Sequence, residues 1–476
     1  MAETTTLVWL RNDLRMADNP ALHFAAEQGT VIPLYIIDDS GQTRPLGEAS
    51  NWWLHHSLSS LNTALSDSLV VKKGDPLTII NELCSRYNVN TVVWNRNYSG
   101  QDISRDSKIK AALAEQDIQC KSFNGNLLWE PMSVLKKDGT PYKVFTPYYR
   151  KGCLAAAPPR FPLPAPKVLA LCQLQDSDKV PLADFGLLPS INWDASFTKH
   201  WEPGEAGGHK SLESFVKKRA VLYKQKRDFP SSLGTSKLSP HLRFGEVSPN
   251  QIWYSVLDNT PGLDNPDTDC YLSELGWREF SYYLLHHFPT MTEENFNPKF
   301  NVFPWKKNES HLSAWQKGQT GIPIVDAGMR ELWQTGYMHN RVRMIVGSFL
   351  VKNLLTHWRE GEAWFWDTLL DADLSSNTAS WQWVAGTGAD AAPYFRIFNP
   401  ILQGEKFDKQ GEYVKTYCPE LRRLPDKFIH KPWEAPSNIL QYAKVVLGKT
   451  YPKPVVDLKL SRQHALDAFA QTKEGN

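Results

Sequence analysis

Roughly the first 130 residues alternate two kinds of sequence pattern, and this alternation restricts the fold more than any other feature of the chain. Short runs of β-branched and aromatic residues are separated by stretches whose apolar residues recur at helical spacing. Such alternation is typical of βαβ units, in which right-handed crossovers place helices on both faces of a parallel sheet. We therefore expect residues 1–130 to form a Rossmann-like α/β domain. The predicted strands are Thr6–Leu10, Val31–Ile37, Leu69–Lys73, Thr91–Trp94 and Gln119–Phe123.

Two local features refine this domain. Between the second and third strands, Ser50 can N-cap a helix that carries leucines at helical spacing. These leucines are Leu54, Leu58, Leu61 and Leu65. No GxGxxG motif follows the first strand, so a dinucleotide bound in the usual doubly wound manner is not expected here.

The rest of the chain divides into a connector and a helical region. Residues 131–195 lose the alternation and become rich in proline, notably in AAAPPRFPLPAPK, as expected of a long segment that crosses a surface. Residues 196–476 show mostly helical periodicity. They predict a second domain that is all-α.

Composition and charge narrow the classes of function. Aromatic residues make up 12% of the chain, which is compatible with stacking on flat ligands, and a tryptophan-rich core remains the alternative. The net charge is only +2, so binding to nucleic acid would depend on a local patch. Lysines and arginines do cluster between Ser211 and Arg243, although a solvated helix face is the commoner meaning of such a run.

Features of secreted or membrane proteins are missing from the sequence. The six cysteines form no CxxC pair, the first residues do not resemble a signal peptide, and Lys352 interrupts the best apolar run. We expect no metal site, no disulfide framework and no membrane span. A reducing, cytoplasmic compartment is the predicted location.

One predicted helix, Tyr271–Phe288, carries an informative polar stripe. Glu274, Trp277, Arg278 and Ser281 are spaced i, i+3, i+4 and i+7, so one face presents a carboxylate, an indole and a guanidinium together. A flat ligand with hydrogen-bonding edges can use all three groups. An Arg–Glu pair beside a packed tryptophan is an equally good interpretation of this helix alone.

A second predicted helix, from Met338 to His357, repeats this design and precedes a polar segment. Its core stripe comprises Val342, Ile345, Val346, Phe349 and Leu350, and its opposite stripe comprises Asn340, Arg343, Met344 and Gly347. The segment DADLSSN then brings Asp371, Asp373 and Asn377. Since no neighbouring side chain completes a metal site, we interpret the aspartates as orienting groups for hydroxyls and ring nitrogens.

A third polar cluster lies in GTSKLSPHLRFGEVSP. Thr235, Ser236 and Ser239 offer hydroxyls and backbone N–H groups where a helix is predicted to begin, which is a good place to bind phosphate. Taken by itself, such a segment is more often a simple helix cap, and that is the interpretation the segment alone favours.

Together these patterns match one family in order and spacing. The chain resembles photolyases and cryptochromes in VWLRNDLRMADNPAL, PYKVFTPYY, TSKLSPHLRFGEVSP, WREF, GYMHNRVRMIVGSFLVK and WQWVAGTGADAAPYFRIFNP. The resemblance covers almost the whole chain. It implies an α/β domain, a connector and an all-α, FAD-binding carboxyl-terminal domain, and we expect a monomer.

The resemblance also implies roles in FAD binding and electron transfer. The residues similar to those that hold the FAD phosphates and ribityl chain are Tyr223, Thr235, Ser236, Leu238, Ser239 and Arg278. Those similar to the isoalloxazine and adenine contacts are Asn340, Arg343, Asp371 and Asp373, with Asn377 facing flavin N5. The family's electron path from the surface to the flavin corresponds to Trp305, Trp358 and Trp381.

Particular positions separate the activities within this family. Repair of (6-4) photoproducts relies on two histidines, which Asn340 and Met344 replace here, so no titratable group is present to move a proton. DASH-type cryptochromes usually carry Tyr at the position of Trp383 and Gln at that of Met344. The segments NFNPKFNVFPW and SNWWLHHSL resemble the bacterial group allied to plant cryptochromes.

The resemblance therefore implies a carbon–carbon lyase that acts on UV-damaged DNA. Light-driven electron transfer from reduced FAD would split cyclobutane pyrimidine dimers. The alternative is a blue-light signalling flavoprotein of the cryptochrome type without repair activity. The residues that would contact the dimer are Glu274, Trp277, Met344 and Trp383, and those placed for flanking phosphates are Arg227 and Arg341, with the Lys217–Lys226 run adding non-specific affinity.

A second, light-harvesting chromophore is usual in this family and would lie on or beside the α/β domain. The acidic residue that holds folate in the enterobacterial type is not evident in WNRNYSGQD. A folate held differently is the first choice for this chromophore, and a deazaflavin is the second.

Overall fold

The computed structural model describes residues 4–41 and 44–474. Its backbone contacts group the chain into two compact units. The first comprises Met1–Val221 and Ser236–Pro289, and the second comprises Leu222–Thr235 and Thr290–Asn476. This grouping does not test the functional division into residues 1–130, 131–195 and 196–476, which stays a prediction.

The first unit contains a parallel sheet whose central strands run in the order β3-β2-β1-β4-β5. The strands are β1 Thr4–Leu10, β2 Gly29–Ile37, β3 Val70–Lys73, β4 Thr91–Asn95, β5 Gln119–Phe123 and β6 Ala170–Leu171. All five predicted strands are confirmed, with ends that differ by at most two residues. The sixth, β6, pairs with the start of β2 at Thr30 and Val31 and was missed because two residues of a proline-rich connector carry no strand pattern.

The inner strands are continuous apolar runs because their side chains are buried on both faces of the sheet. Leu7 and Val8 are adjacent on β1, yet both are completely buried, as are Val31 and Ile32 on β2. Because neighbouring strand residues point to opposite faces, both faces of the sheet are covered. The carboxyl ends of the strands therefore form one edge with helices on either side.

The helices are numbered here along the whole chain. In chain order they are α1 Pro20–Gln28, α2 Glu48–Ala64, α3 Pro76–Arg86, α4 Gly100–Ala114, α5 Phe145–Pro147, α6 Glu205–Lys218, α7 Tyr223–Lys226, α8 Ser239–Arg243, α9 Pro249–Asp258, α10 Pro266–His287, α11 Glu309–Gln316, α12 Pro323–Thr335, α13 Asn340–Ser348, α14 Trp358–Thr368, α15 Leu374–Ala385, α16 Pro400–Phe407, α17 Glu412–Tyr417, α18 Asp426–Ile429, α19 Ser437–Ala443 and α20 Leu458–Glu474.

The predicted cap of α2 is wrong. The helix begins at Glu48 after Gly47, which makes no side-chain cap, and Ser50 lies inside the first turn, where it is buried. A carboxylate in the first turn already compensates the helix dipole, so a hydroxyl cap two residues later is not needed. The predicted leucine face is confirmed, since Leu54 and Leu58 are almost fully buried.

Described by itself, the second unit is helical, with α12–α15 around its main core. The five predicted core residues of α13 and its continuation are all confirmed as buried; they are Val342, Ile345, Val346, Phe349 and Leu350. The predicted extension to His357 is wrong, because α13 ends at Ser348, a π-turn spans Phe349–Asn353, and Leu355 adopts a left-handed conformation with φ 54°. A bulky residue there ends the helical path.

No helix in the part of the chain that the structure describes is long and apolar enough to cross a membrane. The apolar run that comes nearest contains Lys352, which is buried and donates from Nζ to the carbonyl of Arg396 at 3.0 Å. The charged residue that interrupts this run is therefore part of the internal packing of the second unit.

Candidate functional site

The residues predicted to carry function divide between the two units. Those in the first unit are Ser236, Leu238, Ser239, Glu274, Trp277 and Arg278. Those in the second are Tyr223, Arg227, Thr235, Trp305, Asn340, Arg341, Arg343, Met344, Trp358, Asp371, Asp373, Asn377, Trp381 and Trp383. Among all described residues, no group of three or more side chains is arranged to hold a metal ion.

In the second unit, Arg343 of α13 forms a fixed cationic group. Its Nη2 donates to both carboxylate oxygens of Asp371, at 3.0 and 2.8 Å, and its Nε donates to the carbonyl of Met338 at 2.7 Å. The guanidinium also lies 5.3 Å from the ring centre of Tyr337. Burial raises the pKa of Tyr337 to about 12, with Arg343 and a hydrogen bond to Thr235 acting in the opposite direction. The phenol is therefore neutral beside a charged, oriented arginine.

The start of α15 holds a second polar pair. Asp373 caps the helix by accepting from the backbone N of Ser376 at 2.6 Å and from Oγ of Ser375 at 2.7 Å. One turn later, Nδ2 of Asn377 donates to both the carbonyl and Oε1 of Glu362, at 3.0 and 2.8 Å. With both amide hydrogens held in this way, the amide oxygen is the group left to meet a ligand.

Glu362 was missed by the sequence reasoning. It lies on α14, fifteen residues before its partner Asn377, and is almost fully buried. The segment WREGEAWFW carries two glutamates, Glu360 and Glu362, and no pattern in it separates one from the other. The segment does not identify a partner either, because the pairing of two helices is set by tertiary packing.

The three tryptophans of the predicted electron path belong to one apolar cluster. Trp358 and Trp381 are both buried in the main core, and Trp305 packs against it. Trp381 lies so close to α14 that a Cβ on Gly361 would collide with its indole, so only glycine fits there. Trp358 donates from Nε1 to Oδ1 of Asn295 at 2.9 Å. The structure thus brings these three side chains together in one unit.

The predicted phosphate contacts of the second unit are also neighbours. Nη2 of Arg341 lies 2.8 Å from Oδ1 of Asp228, and Nε of Arg227 lies 3.9 Å from the same oxygen. Nη1 of Arg341 lies 3.8 Å from the sulfur of Met344. The guanidinium of Arg227 lies 5.3 Å from the ring centre of the buried Tyr223. Two predicted arginines therefore share one acidic side chain that the sequence had not singled out, and each arginine also contacts one further predicted residue.

Two other predicted residues of this unit have fewer described contacts. Asn340 is the first residue of α13 and is exposed. Trp383 is partly buried and packs against the main core cluster. Both side chains keep surface that a ligand can reach.

In the first unit, Trp277 presents a partly exposed indole on α10. Its ring stacks on Phe145, with ring centres 3.9 Å apart and planes inclined by 12°. One face of the indole is thus supported while the side chain stays partly open. Ser281 was wrongly included in the polar stripe, because it is buried and its Oγ donates to the carbonyl of Trp277 at 3.0 Å.

Arg278 has a carboxylate partner that the helix pattern did not single out. Its Nη1 donates to Oε1 of Glu279 at 2.9 Å, and its Nη2 donates to the carbonyl of Asn126 at 3.0 Å. Glu279 is almost fully buried and also accepts from the backbone N of Leu128 and Trp129, at 2.8 and 3.3 Å. Burial raises its pKa to about 7, although Arg278 and these amides act in the opposite direction.

The segment before α8 does not act as an ordinary helix cap. The N-cap position is the buried Leu238, and no side-chain cap bond is formed. The capping interpretation of the Ser/Thr cluster is therefore wrong. Lys237 adopts a left-handed conformation with φ 56°, which turns the chain between Ser236 and Ser239. A non-glycine residue held in this region is strained, and such strain concentrates at ligand-binding segments.

Comparison with known proteins gives matches in both parts of the chain. Residues 6–167 match the family model described as DNA photolyase. Residues 271–471 match the model described as the FAD binding domain of DNA photolyase.

Individual relatives extend over nearly the whole length. The chain is 47% identical over 473 residues to a deoxyribodipyrimidine photo-lyase of Agrobacterium fabrum, covering 98% of each. It is 37% identical to cryptochrome-2 of Arabidopsis thaliana, covering 98% of this chain and 79% of that protein. The crystal structure of a bacterial class III photolyase from Agrobacterium tumefaciens matches with a TM-score of 0.95 and 47% identity, covering 100% of this chain and 98% of that one.

Proposed function

The chain belongs to the photolyase/cryptochrome family, and on this premise we propose that it is a deoxyribodipyrimidine photolyase. It binds FAD and uses blue light to split cyclobutane pyrimidine dimers in DNA, which makes it a carbon–carbon lyase and a DNA-repair flavoprotein. The observation that carries this proposal is the 47% identity, over 98% of the chain, to a protein named for that activity. Likeness of this extent covers the sheet, the connector and the helices alike.

The polar groups of the second unit fit a flat ligand with hydrogen-bonding edges. Arg343 is held by Asp371, and Asn377 is held by Glu362 with its amide oxygen left available. In this proposal these residues, with Asn340 and Asp373, hold the isoalloxazine and the adenine side. The residues for the phosphates and ribityl chain are Tyr223, Thr235, Ser236, Leu238, Ser239 and Arg278. When bound and reduced, FAD supplies an electron from its excited state.

The protein's own task is to orient the reacting groups and to keep water away. Asn377 orients the reactive side of the ring, since both of its amide hydrogens are already committed to Glu362. Trp381, Trp358 and Trp305 return electrons when the flavin has become oxidised, because indoles can be oxidised transiently and these three share one cluster.

Recognition of the dimer is assigned to two indoles and one carboxylate. Extruding the two linked bases of a dimer from the duplex costs a few kcal/mol, and each stacked base recovers roughly 1 to 3 kcal/mol. Trp277, supported on one face by Phe145, and Trp383 supply this stacking. Glu274 accepts hydrogen bonds from the dimer's imide edge, and Met344 contributes apolar contact. The flanking phosphates are assigned to Arg227 and Arg341, and the protein acts as a monomer.

A cryptochrome-type signalling protein is the second candidate, favoured by the 37% identity to cryptochrome-2 over 98% of the chain. The two functions differ in one measurable property. Reduced protein, illuminated with blue light, should restore duplex or single-stranded DNA that contains dimers. Strong flavin binding without restoration of any DNA would favour the signalling function instead.

For the antenna chromophore, we propose a folate as first choice and a deazaflavin as second. Between β1 and β4, where the strand order reverses, α/β sheets usually bind ligands. Here that position is filled by the chain itself, because Arg11 donates to both oxygens of Asp106 at 2.9 Å, and Nδ2 of Asn95 donates to Asp13 and Asn19 at 2.6 and 2.7 Å. A chromophore held elsewhere is favoured. The absorption spectrum of the purified protein distinguishes a near-ultraviolet folate band from a violet deazaflavin band.

A further inference from the structure

One acidic side chain lies between the two arginines assigned to the flanking phosphates. Oδ1 of Asp228 is 2.8 Å from Nη2 of Arg341 and 3.9 Å from Nε of Arg227. The Asp228 side chain is about one-third exposed, at 35%, so an approaching phosphate meets it as well as the arginines. His339 adds no positive charge at neutral pH, because burial lowers its pKa to about 4. The group of two arginines and one aspartate thus carries a single net positive charge.

Arg341 is held in one plane by its surroundings. Its guanidinium carbon lies 4.5 Å from the ring centre of Phe407, which packs in turn against Phe229 with ring centres 6.3 Å apart. Its Nη1 has only the sulfur of Met344 at 3.8 Å, and its buried Nε has no hydrogen-bond partner within the described residues. The strongest partner of this guanidinium is therefore the carboxylate of Asp228.

The turn that carries Asp228 is also closely packed. A Cβ on Gly234 would collide with the carbonyl of Lys226, so the two ends of this turn approach as only glycine allows. Phe229 donates its backbone N–H to the carbonyl of Lys226 at 3.3 Å. Because the turn is braced in this way, Asp228 is presented to the arginines by the backbone as well as by its own ion pairs.

We propose that Asp228 is an internal competitor for DNA phosphate. Its carboxylate occupies the donor that a phosphate oxygen would use and repels the phosphate charge. It thereby lowers the affinity of this surface for DNA and shortens the stay on undamaged duplex, where binding is almost entirely electrostatic. This inference rests on the proposed function, since it takes Arg227 and Arg341 to be phosphate contacts.

The test is Asp228→Asn, which keeps a hydrogen-bond acceptor for Arg341 and removes the charge. Binding to undamaged and to dimer-containing duplex should tighten by roughly three- to tenfold at low salt, the scale of a partly exposed ion pair. The plot of log affinity against log salt should become steeper by about 0.9, as expected when one more phosphate is neutralised. In the background of Arg341→Gln, the gain should largely disappear.

The matched control is Asp426→Asn. Asp426 is a half-exposed aspartate of the same unit, paired with Nζ of Lys415 at 2.7 Å, and it has no assigned role in DNA binding. Its substitution removes the same charge and should leave the salt slope unchanged. Flavin absorbance and the melting temperature report whether each variant is folded.

The outcomes separate the two levels of the account. Weaker DNA binding by a folded Asp228→Asn variant would show that Asp228 positions the arginines, and an unchanged affinity and slope would show no competition; either result overturns the proposal. If Asp228→Asn gives either of these two results and the wild-type protein still repairs dimers under light, only the competition is refuted. If it neither binds nor repairs dimer-containing DNA, the proposed function itself fails.

Discussion

At the scale of single residues, Trp277 decides whether lesion recognition has been placed correctly. The stack on Phe145 shows that one ring face is packed, and the partial exposure of the side chain leaves room for a base. Exchange to Ala should weaken binding to dimer-containing DNA by roughly 1 to 3 kcal/mol through the lost stacking. The lost stack on Phe145 should lower stability by about 0.5 to 1.5 kcal/mol beyond the effect of the lost buried area, and FAD content should hardly change.

Lesion affinity, flavin occupancy and melting temperature measured on Trp277→Ala test this assignment. Trp333→Ala is a suitable control, because this half-exposed indole stacks on Trp364 in the second unit and has no assigned role. Loss of flavin with unchanged lesion affinity would mean that Trp277 belongs to the packing that supports the cofactor.

The Asn377–Glu362 pair offers a second test at this scale. Glu362→Leu removes the Oε1 acceptor of Asn377 and keeps only the backbone carbonyl of residue 362, so one amide hydrogen loses its partner. Stability should therefore fall by roughly 1 to 3 kcal/mol, and photoreduction should slow. Glu362→Gln retains an acceptor oxygen and should behave nearly like the wild type. Thermal unfolding and flash photoreduction measure both effects. Equal behaviour of the Leu and Gln variants would argue that Glu362 does not orient Asn377.

The sequence predicted ligand-facing polar residues better than it predicted their partners. Short-range spacing singled out Arg343, Asp371 and Asn377. The structure shows a defined contact for each of them. The carboxylates that hold Asn377 and Arg341 follow no local pattern. Glu362 and Asp228 were not identified, because their pairing depends on how separate helices and turns pack together.

At the scale of elements, α14, α15 and the segment with Trp305 form the predicted electron path. Trp305→Phe should prevent photoreduction of oxidised flavin, because phenylalanine is far harder to oxidise than tryptophan. Repair should remain intact when the flavin is reduced chemically. Trp333→Phe provides the control, as it removes another partly exposed indole of the same unit. Normal photoreduction in Trp305→Phe would show that another route carries the electron.

The contribution of Glu279 to stability, where α10 meets the segment Asn126–Trp129, should depend on pH. Burial raises the pKa of Glu279 to about 7, above the ordinary value of 4.5, so the folded state holds this proton more tightly than the unfolded state does. Its contribution to stability is therefore full below about pH 4.5 and is lost as the pH rises to about 7, by up to roughly 3 kcal/mol. In Glu279→Gln this fall should be absent. The free energy of unfolding is measured against pH for the wild type and for Glu279→Gln. Identical pH curves for the two proteins would contradict this prediction.

Helices and strands were predicted correctly where the apolar residues follow one regular spacing. The predictions failed where tertiary contacts determine the local backbone. The five main strands were found because β-branched runs between helical patterns leave few alternatives. The break after Ser348 was not found, since the apolar stripe continues smoothly through the π-turn to Leu350. The hydroxyls before α8 were misread as a cap, because the strained backbone of Lys237 leaves no trace in the sequence pattern.

At the scale of the whole molecule, the chain comprises two compact units, and each contains residues assigned to the proposed lyase activity. The first supplies the α/β sheet and the stacked Trp277, and the second supplies the oriented Arg343 and Asn377 and the tryptophan cluster. The likeness to named photolyases extends over nearly the whole chain and so includes both units. The proposed function therefore assigns residues to both units.

The most direct test of the central claim is a count of dimers split per flavin after a single reduction. The protein is reduced once without oxygen, mixed with an excess of dimer-containing DNA and illuminated with blue light, while a dark sample serves as control. Since the repair cycle involves no net redox change, we expect many dimers to be split per flavin in the light and none in the dark. Repair that stops at one dimer per flavin, or no repair by fully reduced protein, would contradict the account.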